Sequence, residues 1–138
     1  ELAVKENITI EERSPIENVH CVLPFSELFK NVSSRSPLPK LKKMVDRMEP
    51  FGPGNEKPHF LTKNLYSTQV KLLKEKHLKL NVIDPETGLE AQAIGFFMAE
   101  KEELVASGMA FDLLYTLETN HWNGRTSLQL NIKDIRSV

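Results

Sequence analysis

Residues Phe111 to Ile135 read FDLLYTLETNHWNGRTSLQLNIKDI, and this stretch decides the fold. Two alternating runs flank Asn123-Gly124, a dipeptide that strongly favours a two-residue type I′ turn between antiparallel strands. Such a turn pairs Trp122 with Arg125 and thereby fixes every pair further out. The pairs on one mostly apolar face are Thr119 with Leu128, Leu117 with Leu130, and Tyr115 with Ile132. The sequence therefore predicts a long β-hairpin that turns this face toward a core.

The other face of the hairpin is predicted to be polar, apart from Leu114 and the aromatic residue at the tip. Its pairs are Asn120 with Ser127, Glu118 with Gln129, Thr116 with Asn131, and Leu114 with Lys133. The register set by the turn places apolar pairs on one face and polar pairs on the other over many positions, which a chance sequence seldom does. The hairpin is thus chiefly structural, and only its tip, Trp122 with Arg125 stacked against it, is a candidate for function.

The segments before the hairpin have the patterns of further strands and one short helix. Leu78, Leu80 and Val82 recur at every second position, the period of a half-buried strand. The predicted elements are a strand at Phe60–Tyr66, a second strand made of Val70–Leu73 and His77–Ile83 with a break at Lys74–Lys76, a third at Glu90–Phe97, and a helix at Glu100–Ser107 capped by Gly108. This indicates a mainly β fold with α (α+β), an OB-type Greek-key five-stranded barrel preceded by an amphipathic helix. An SH3-like barrel and an open sheet with flanking helices are the alternatives.

The first part of the chain is predicted to lead into this barrel. The chain begins Glu1-Leu2 without Met, as an excised piece would, and its first β-like run is expected to belong to a neighbouring domain that was removed. The helix at residues 38–48 carries its apolar side chains on one face. The predicted elements are β-like runs at Asn7–Glu11 and Val19–Leu23, a helical turn at Pro24–Phe29, an amphipathic helix at Leu38–Met48 with Leu38, Leu41, Val45 and Met48 on its apolar face, and a rigid joint at Glu49–Asn55.

Composition is that of an ordinary folded, soluble domain. The 138 residues are 40% hydrophobic and 27% charged, with a formal net charge of −1. This charge excludes a strongly basic nucleic-acid binder, so any basic surface must be local. Cys21 is the one cysteine, which fits a reducing compartment and predicts a buried, inert thiol. No apolar run is long enough to span a bilayer.

Residues that carry hydrolytic chemistry are scattered along the chain. No two of the 4 histidines stand at metal-ligand spacing, none lies beside an aspartate, and the aspartates are dispersed. Metal-assisted hydrolysis needs several such side chains converging on one or two ions. Gly52-Pro53-Gly54-Asn55 also lacks the spacing of a phosphate loop. We therefore expect neither a catalytic residue nor a metal site in this chain.

One dense basic stretch in the β region gives the candidate binding site. Its cationic side chains can contact phosphates, and single strands also need aromatic side chains for base stacking. The aromatic candidates are Trp122, Tyr66, Phe96 and Phe97, and the adjacent Phe96 and Phe97 should point to opposite sides of their strand. The predicted nucleic-acid-binding residues are Lys71, Lys74, Lys76, His77, Lys79, Trp122 and Arg125. The alternative is that the lysines form an ordinary solvated face.

Three stretches together carry a family resemblance between about Ile16 and Arg136. They are Met48 to Asn55 with Pro58 and Phe60, then Lys76 to Leu80, then the terminal hairpin from Tyr115 to Arg136. In order and spacing they resemble the later, OB-type domain of RecJ-type single-strand-specific DNA exonucleases of the DHH family. The resemblance implies that residues 1–15 are the tail of the preceding, removed domain and that residues 16–138 are the OB-type barrel domain. Two departures are local. Glu56-Lys57 stand where the family usually has a proline, and Leu73-Lys74-Glu75 lacks a glycine often found there.

The resemblance implies a fragment of a large cytoplasmic hydrolase that degrades single-stranded DNA from the 5′ end in recombination, mismatch repair and replication-fork repair. The family's core uses manganese or magnesium held by aspartates and histidines; its Asp-His-His motif is absent here, so no cofactor is expected in this chain. The implied role is non-catalytic binding of single-stranded DNA. Implied partners are the exonuclease's own core domains and replication or repair proteins, with no membrane. The alternative is a structural or interaction module that clamps the catalytic core or recruits a replication partner.

Overall fold

The computed structural model describes residues 16–30, 32 and 38–138. In chain order the elements there are β1 (Cys21–Val22), α1 (Phe25–Leu28), α2 (Lys40–Asp46), β2 (Phe60–Leu73), β3 (His77–Ile83), β4 (Glu90–Gly95), α3 (Glu102–Ala106), β5 (Phe111–Trp122) and β6 (Arg125–Ser137). A 3₁₀ turn at Ala99–Lys101 leads into α3. The predicted strand at Asn7–Glu11 and the rest of the predicted tail, residues 1–15, lie outside the described residues.

Strands β2 to β6 close into a barrel. They are neighbours in the order β2-β3-β4-β6-β5, and β5 pairs back with β2. β4 and β6 run parallel, whereas the other pairs of the barrel are antiparallel. With α3 between β4 and β5, this is the five-stranded Greek-key barrel of the OB type that the sequence predicts. The short β1 adds in parallel to the start of β2.

The β5–β6 hairpin has the predicted turn and, over most of its length, the predicted register. Asn123 and Gly124 have φ of +48° and +74°, as a type I′ turn requires. All predicted pairs from Trp122–Arg125 to Tyr115–Ile132 are confirmed. The predicted pair Leu114–Lys133 is wrong, because the register shifts between Leu114 and Tyr115 and Leu114 faces Asp134. A bulge of this kind inserts one extra residue, here on β6, and bends the hairpin at its base.

Strand β2 is longer than predicted and takes part in two different pairings. It runs unbroken from Phe60 to Leu73, so the predicted grouping of Val70–Leu73 with His77–Ile83 in one strand is wrong. Its first half pairs with β5 and its second half with β3, and the register with β3 shifts between Ser67 and Gln69. Lys74 and Glu75 have φ of +53° and +59°, which turns the chain into β3. The bent β2 is what allows the barrel to close.

The helices are shorter than their predicted extents. Helix α2 covers Lys40–Asp46 instead of Leu38–Met48, and Met48, predicted on the buried face, is 45% exposed. Lys42 is buried in its place at 5% exposure, with its ammonium paired to Asp46 one turn later. Because the stem of a lysine is apolar, it can fill such a position while the charge is paired. With 7 residues, α2 is the longest described α-helix, and no helix in this part of the chain could span a membrane.

Two predictions near the first strand differ from the structure. The predicted run Val19–Leu23 reduces to the two-residue β1, and Cys21 is exposed instead of buried. Cys21 is exposed because β1 is an edge strand beside β2, and both of its residues are accessible to solvent. The joint between α2 and β2 is closed by Asn55, whose amide donates to the carbonyls of Met48 and Pro50 at 2.7 and 2.8 Å.

The barrel interior is filled by the inward-facing half of each strand. Tyr115 is the largest fully buried side chain among the described residues, and its hydroxyl lies 2.8 Å from Thr62 Oγ1. The Thr62 hydroxyl donates in turn to the carbonyl of Leu23 at 2.6 Å, which ties β1's flank to the barrel. Burial raises the pKa of Tyr115 above its ordinary value, although the hydrogen bond with Thr62 opposes this. The apolar core around it includes Leu65, Leu78, Val82, Ala93, Leu113, Leu117, Leu130 and Ile132.

A buried ion pair fastens the base of the hairpin to β2. Asp112 on β5 accepts hydrogen bonds from Arg136 Nε at 2.8 Å and Arg136 Nη2 at 2.6 Å. The other oxygen of Asp112 accepts the backbone N–H of Asn64 at 3.0 Å. Asn64 has φ of +59°, a conformation that asparagine tolerates better than most residues. One carboxylate thus connects β5, β6 and the bend of β2.

We expect Asp112→Asn to lower the free energy of unfolding by about 3 kcal/mol, because it removes the negative charge of a buried pair and leaves the positive charge of Arg136 in place. Adding Arg136→Met should recover much of that loss, since the second charge of the pair is then removed as well. Urea unfolding of both variants measures this. A single-variant loss within the range of exposed pairs, below about 1 kcal/mol, would contradict the structural role.

Alkaline pH should destabilise the fold through Tyr115. The folded state favours the neutral phenol, so its stabilisation is complete below the unfolded pKa of about 10 and declines as pH rises above it. Between about pH 10 and pH 11, wild-type stability should fall by about 1 kcal/mol more than that of Tyr115→Phe, because the unfolded phenol is only half ionised at the start of this interval. The matched control is Tyr66→Phe, which removes the other tyrosine, on the surface of β2, and should keep the steeper slope. Equal slopes for wild type and Tyr115→Phe would refute the assignment.

Candidate nucleic-acid interface

The outward-facing side chains of the barrel form a groove across β2, β3, β4, β6 and β5. A cleft of about 560 Å³ lies under the hairpin tip, and a smaller one of about 210 Å³ adjoins it and shares Lys79 and Gln92. We call the two together the outer groove. It is lined by Gln69, Lys71, Lys79, Leu80, Asn81, Gln92, Asn120, Trp122, Arg125, Thr126, Ser127 and Gln129.

Strand register explains why these residues share one face. Lys71 pairs with Lys79 across β2 and β3, and Asn81 pairs with Gln92 across β3 and β4. The parallel β4–β6 contact then sets Gln92 beside Gln129. Paired residues point to the same side of a sheet, so a continuous polar row crosses the barrel. At the base of the hairpin the same face is closed, because Leu114 and Thr116 are buried there.

Four of the predicted binding residues come together in the outer groove. Lys71 and Lys79 lie on its floor, and Trp122 and Arg125 stand opposite each other at the hairpin tip. Trp122 is 71% exposed, as predicted. The predicted stacking of Arg125 on Trp122 is not among the cation–π contacts of the described residues, where Lys57 lies over Phe51 at 5.9 Å.

The other three predicted residues lie at the β2–β3 turn, at one end of the outer groove. Lys74 and Lys76 are exposed in the turn, and neither lines the groove. His77 is half-buried, and its Nδ1 accepts the backbone N–H of Phe97 at 3.1 Å. Its ring also meets the rings of Phe96 and Phe97 edge-on, at 5.4 and 4.8 Å between centroids. His77 therefore supports the turn that contains Phe96 and Phe97, which we call the aromatic turn. The sequence prediction, which was based on charge, did not indicate this role.

Phe96 and Phe97 contradict the prediction that one points in and one out. Both are exposed, at 51% and 72%. The alternation fails because β4 ends at Gly95, and Phe97 has φ of +58° instead of an extended conformation. Gly95 itself allows a close approach of Met98, since a Cβ there would lie 2.8 Å from Met98 Sδ. The chain thus reverses tightly, with both phenylalanine rings outside.

The charged side chains that line the outer groove are all cationic, although the whole chain carries a slight negative charge. Its lining holds Lys71, Lys79 and Arg125 and no carboxylate, while the formal net charge of the whole sequence is −1. Within the described part of the chain these three cations form no ion pair. The remaining lining is mostly amide and hydroxyl, and Asn81 is held by bonds to Thr68 Oγ1 and Glu90 Oε1, at 2.6 and 2.5 Å. Such a surface suits a phosphate chain with hydrogen-bonding bases.

The groove amides and hydroxyls were missed as site residues by sequence reasoning. The hairpin register did place Asn120, Ser127 and Gln129 outward, which was the signal available, but β4 supplies Gln92 through a non-local parallel pairing. Among the described residues, no three histidine, cysteine, aspartate or glutamate side chains are grouped to hold a metal ion.

A second pair of clefts lies at the base of the hairpin, on the side where residue 16 enters. They share Asn18 and His59, and we call them the basal cleft. Unlike the outer groove, the basal cleft has mixed charge, with three carboxylates among its residues. It is lined by Glu17, Asn18, His20, Phe51, Gly52, Glu56, Lys57, His59, Leu114, Lys133 and Asp134.

A known domain family matches most of this chain. The family model described as RecJ OB domain matches residues 32–134. The single-stranded-DNA-specific exonuclease RecJ of Bacillus subtilis (strain 168) is 29% identical over 92 residues, which are 65% of this chain and 12% of that protein.

Two solved structures of RecJ from Thermus thermophilus share the fold. The complex with Mn²⁺ has a TM-score of 0.55 and the complex with Mg²⁺ one of 0.53, both at 21% sequence identity. Each match covers 71% of this chain and 14% of the RecJ chain. The chain therefore spans only a small part of the relatives it matches.

Proposed function

The chain belongs to the RecJ OB domain family, and from this we propose that it binds single-stranded DNA in the outer groove, as one part of a longer RecJ-type exonuclease. The Bacillus subtilis relative is named for specificity toward single-stranded DNA. OB barrels bind oligonucleotides on the face of their second and third strands and with the loops that flank it. In this chain those elements are β3, β4, the β2–β3 turn and the hairpin tip.

The observation that carries the proposal is the carboxylate-free lining of the outer groove beside an exposed tryptophan. Lys71, Lys79 and Arg125 line the groove, where their charges would attract phosphates. Trp122 offers an aromatic ring on which a base can stack without sequence preference. The amides along the floor can donate to and accept from base edges, and a duplex does not expose those edges to such a groove as a single strand does.

In this proposal the domain holds the strand and does not cut it. Hydrolysis would belong to a catalytic core elsewhere in the longer protein, with a manganese or magnesium pair, and the activity would serve DNA recombination and repair in the cytoplasm. The domain's partners would be single-stranded DNA, the core domains of its own chain, and replication or repair proteins. With about three phosphates engaged, binding by this chain alone should be weak and strongly salt-dependent.

A second candidate function is favoured by the basal cleft. It lies where the chain enters the barrel at residues 16–20, and its mixed charge suits contact with another protein domain better than with a phosphate chain. A catalytic core joined at this end of the chain would meet it first. In that role the domain clamps the core, and the outer groove is incidental.

Titration with oligothymidylate separates the two functions. Trp122 is the only tryptophan, so quenching of its emission reports stacking in the outer groove directly. We expect the logarithm of the association constant to fall with the logarithm of salt concentration at a slope of about −2, given about 0.7 per phosphate. Lys79→Gln should weaken binding several-fold and reduce the slope by about 0.7.

The matched control for that titration is Lys133→Gln, which removes an exposed lysine of the basal cleft and should leave DNA binding unchanged. Equal effects of the two substitutions, or no quenching and no binding at low salt, would overturn the proposed function and leave the clamp as the better account.

A further inference from the structure

Phe97 has an unusual combination of backbone conformation and exposure. Its φ is +58°, a region in which a bulky side chain is a genuine outlier. Its ring is 72% exposed, so burial does not compensate for the conformation. Residues held in such conformations concentrate at sites that bind or react. The stability of the barrel therefore offers no reason for a phenylalanine at this position.

The surrounding structure holds Phe97 in place. The backbone N–H of Phe97 donates to His77 Nδ1 at 3.1 Å, and the His77 ring packs edge-on against the Phe97 ring. Leu78, next to His77, pairs with Gly95, the last residue of β4. The side chain of Met98 packs back against the core. The turn after β4 is thus anchored on both sides, and Phe96 and Phe97 are displayed to solvent between the anchors.

The turn that precedes His77 in the chain carries two exposed lysines and one exposed glutamate. His77 is the first residue of β3, and it follows directly on the exposed Lys74-Glu75-Lys76 turn. Gly95, the last residue of β4, lies three residues beyond Gln92 of the outer groove, about 10 Å along the strand, and Phe97 follows in the turn. An exposed aromatic ring with neighbouring lysines is the combination that holds single-stranded nucleic acid, whereas a protein partner of the same turn would have to bring acidic groups to the lysines.

We propose that Phe97, with Phe96 beside it, is a second base-stacking platform that receives the DNA strand where it leaves the outer groove at the β2–β3 turn. His77 is its positioning residue, and Lys74 and Lys76 contact the phosphates there. This inference rests on the proposed function, because it extends the same strand by some nucleotides. It divides the interface into two parts, the outer groove with Trp122 and the aromatic turn with Phe97.

The length of the oligonucleotide tests the division, with the 138-residue chain as the protein. A thymidylate of about 4 nucleotides, the lower limit of OB-fold sites, fills the groove alone, and one of about 12 reaches the aromatic turn. Phe97→Asn removes the ring and keeps a residue that tolerates positive φ, so the fold should be retained. We expect it to bind the longer oligomer about tenfold more weakly and the shorter one unchanged, with Trp122 quenching at saturation as in wild type.

Two further variants complete the design. Met109→Ala removes another exposed apolar side chain and should change neither affinity. His77→Ala combined with Phe97→Asn should bind the longer oligomer no more weakly than Phe97→Asn alone, because a positioning residue acts only through what it positions. A double variant that binds more weakly would overturn that role of His77.

The same titrations distinguish an error in the second stacking platform from an error in the proposed function. If Lys79→Gln weakens both oligomers while Phe97→Asn weakens neither, DNA binds in the groove and the platform is wrong; a protein contact is then left for the aromatic turn. If neither oligomer binds or quenches Trp122, the proposed function itself is wrong. If Phe97→Asn weakens binding of the longer oligomer only, the result supports both the outer groove as the DNA site and Phe97 as a second stacking platform.

Discussion

The register of the β5–β6 hairpin is the constraint on which the rest of the molecule depends. A two-residue turn at Asn123-Gly124 fixes which residues face each other, and the period of two fixes which face the core. Tyr115, Leu117 and Leu130 then fill the barrel. The intervening residues build one wall of the outer groove. A slip of one position would exchange the two sets, removing core and binding surface together.

Three register shifts convert this hairpin into part of a closed barrel. One lies at the base of the hairpin, one lies between Thr62 and Leu65 where β2 pairs with β5, and one lies between Ser67 and Gln69 where β2 pairs with β3. Asp112 lies at the second of these shifts, where it accepts from Arg136 and from the backbone N–H of Asn64 at once. The groove follows these bends: Lys79 lies in the cleft under the tip that carries Trp122, and Lys71 pairs with Lys79 on the neighbouring strand.

Much of this followed from local rules applied to the sequence. The turn dipeptide and the alternation of Leu78, Leu80 and Val82 are short-range signals, and they sufficed for the fold class and for most of the register. The predictions that were wrong, and the residues that were missed, depend on contacts between distant parts of the chain. Lys42 is buried and Cys21 exposed because of what other elements cover, which no local pattern reports. Gln92 enters the groove through a parallel pairing with β6, a contact between distant parts of the chain.

In the candidate site, too, some residues could be predicted from local features of the sequence and others could not. Lys71, Lys79, Trp122 and Arg125 were identified by charge and aromaticity, and the fold brings them together. The aromatic turn was missed because alternation was extended past Gly95, where the strand ends and Phe97 takes a left-handed conformation.

Chemical shifts of the backbone amides, recorded while an unlabelled oligothymidylate is added, would show which face of the barrel binds single-stranded DNA, because each strand and turn has its own signals. We expect salt-sensitive shifts at Lys79, Gln92 and Gln129 of the outer groove and none at the basal-cleft residues Asn18 and His59. Shifts confined to the basal cleft, or no shifts at low salt, would contradict binding in the outer groove.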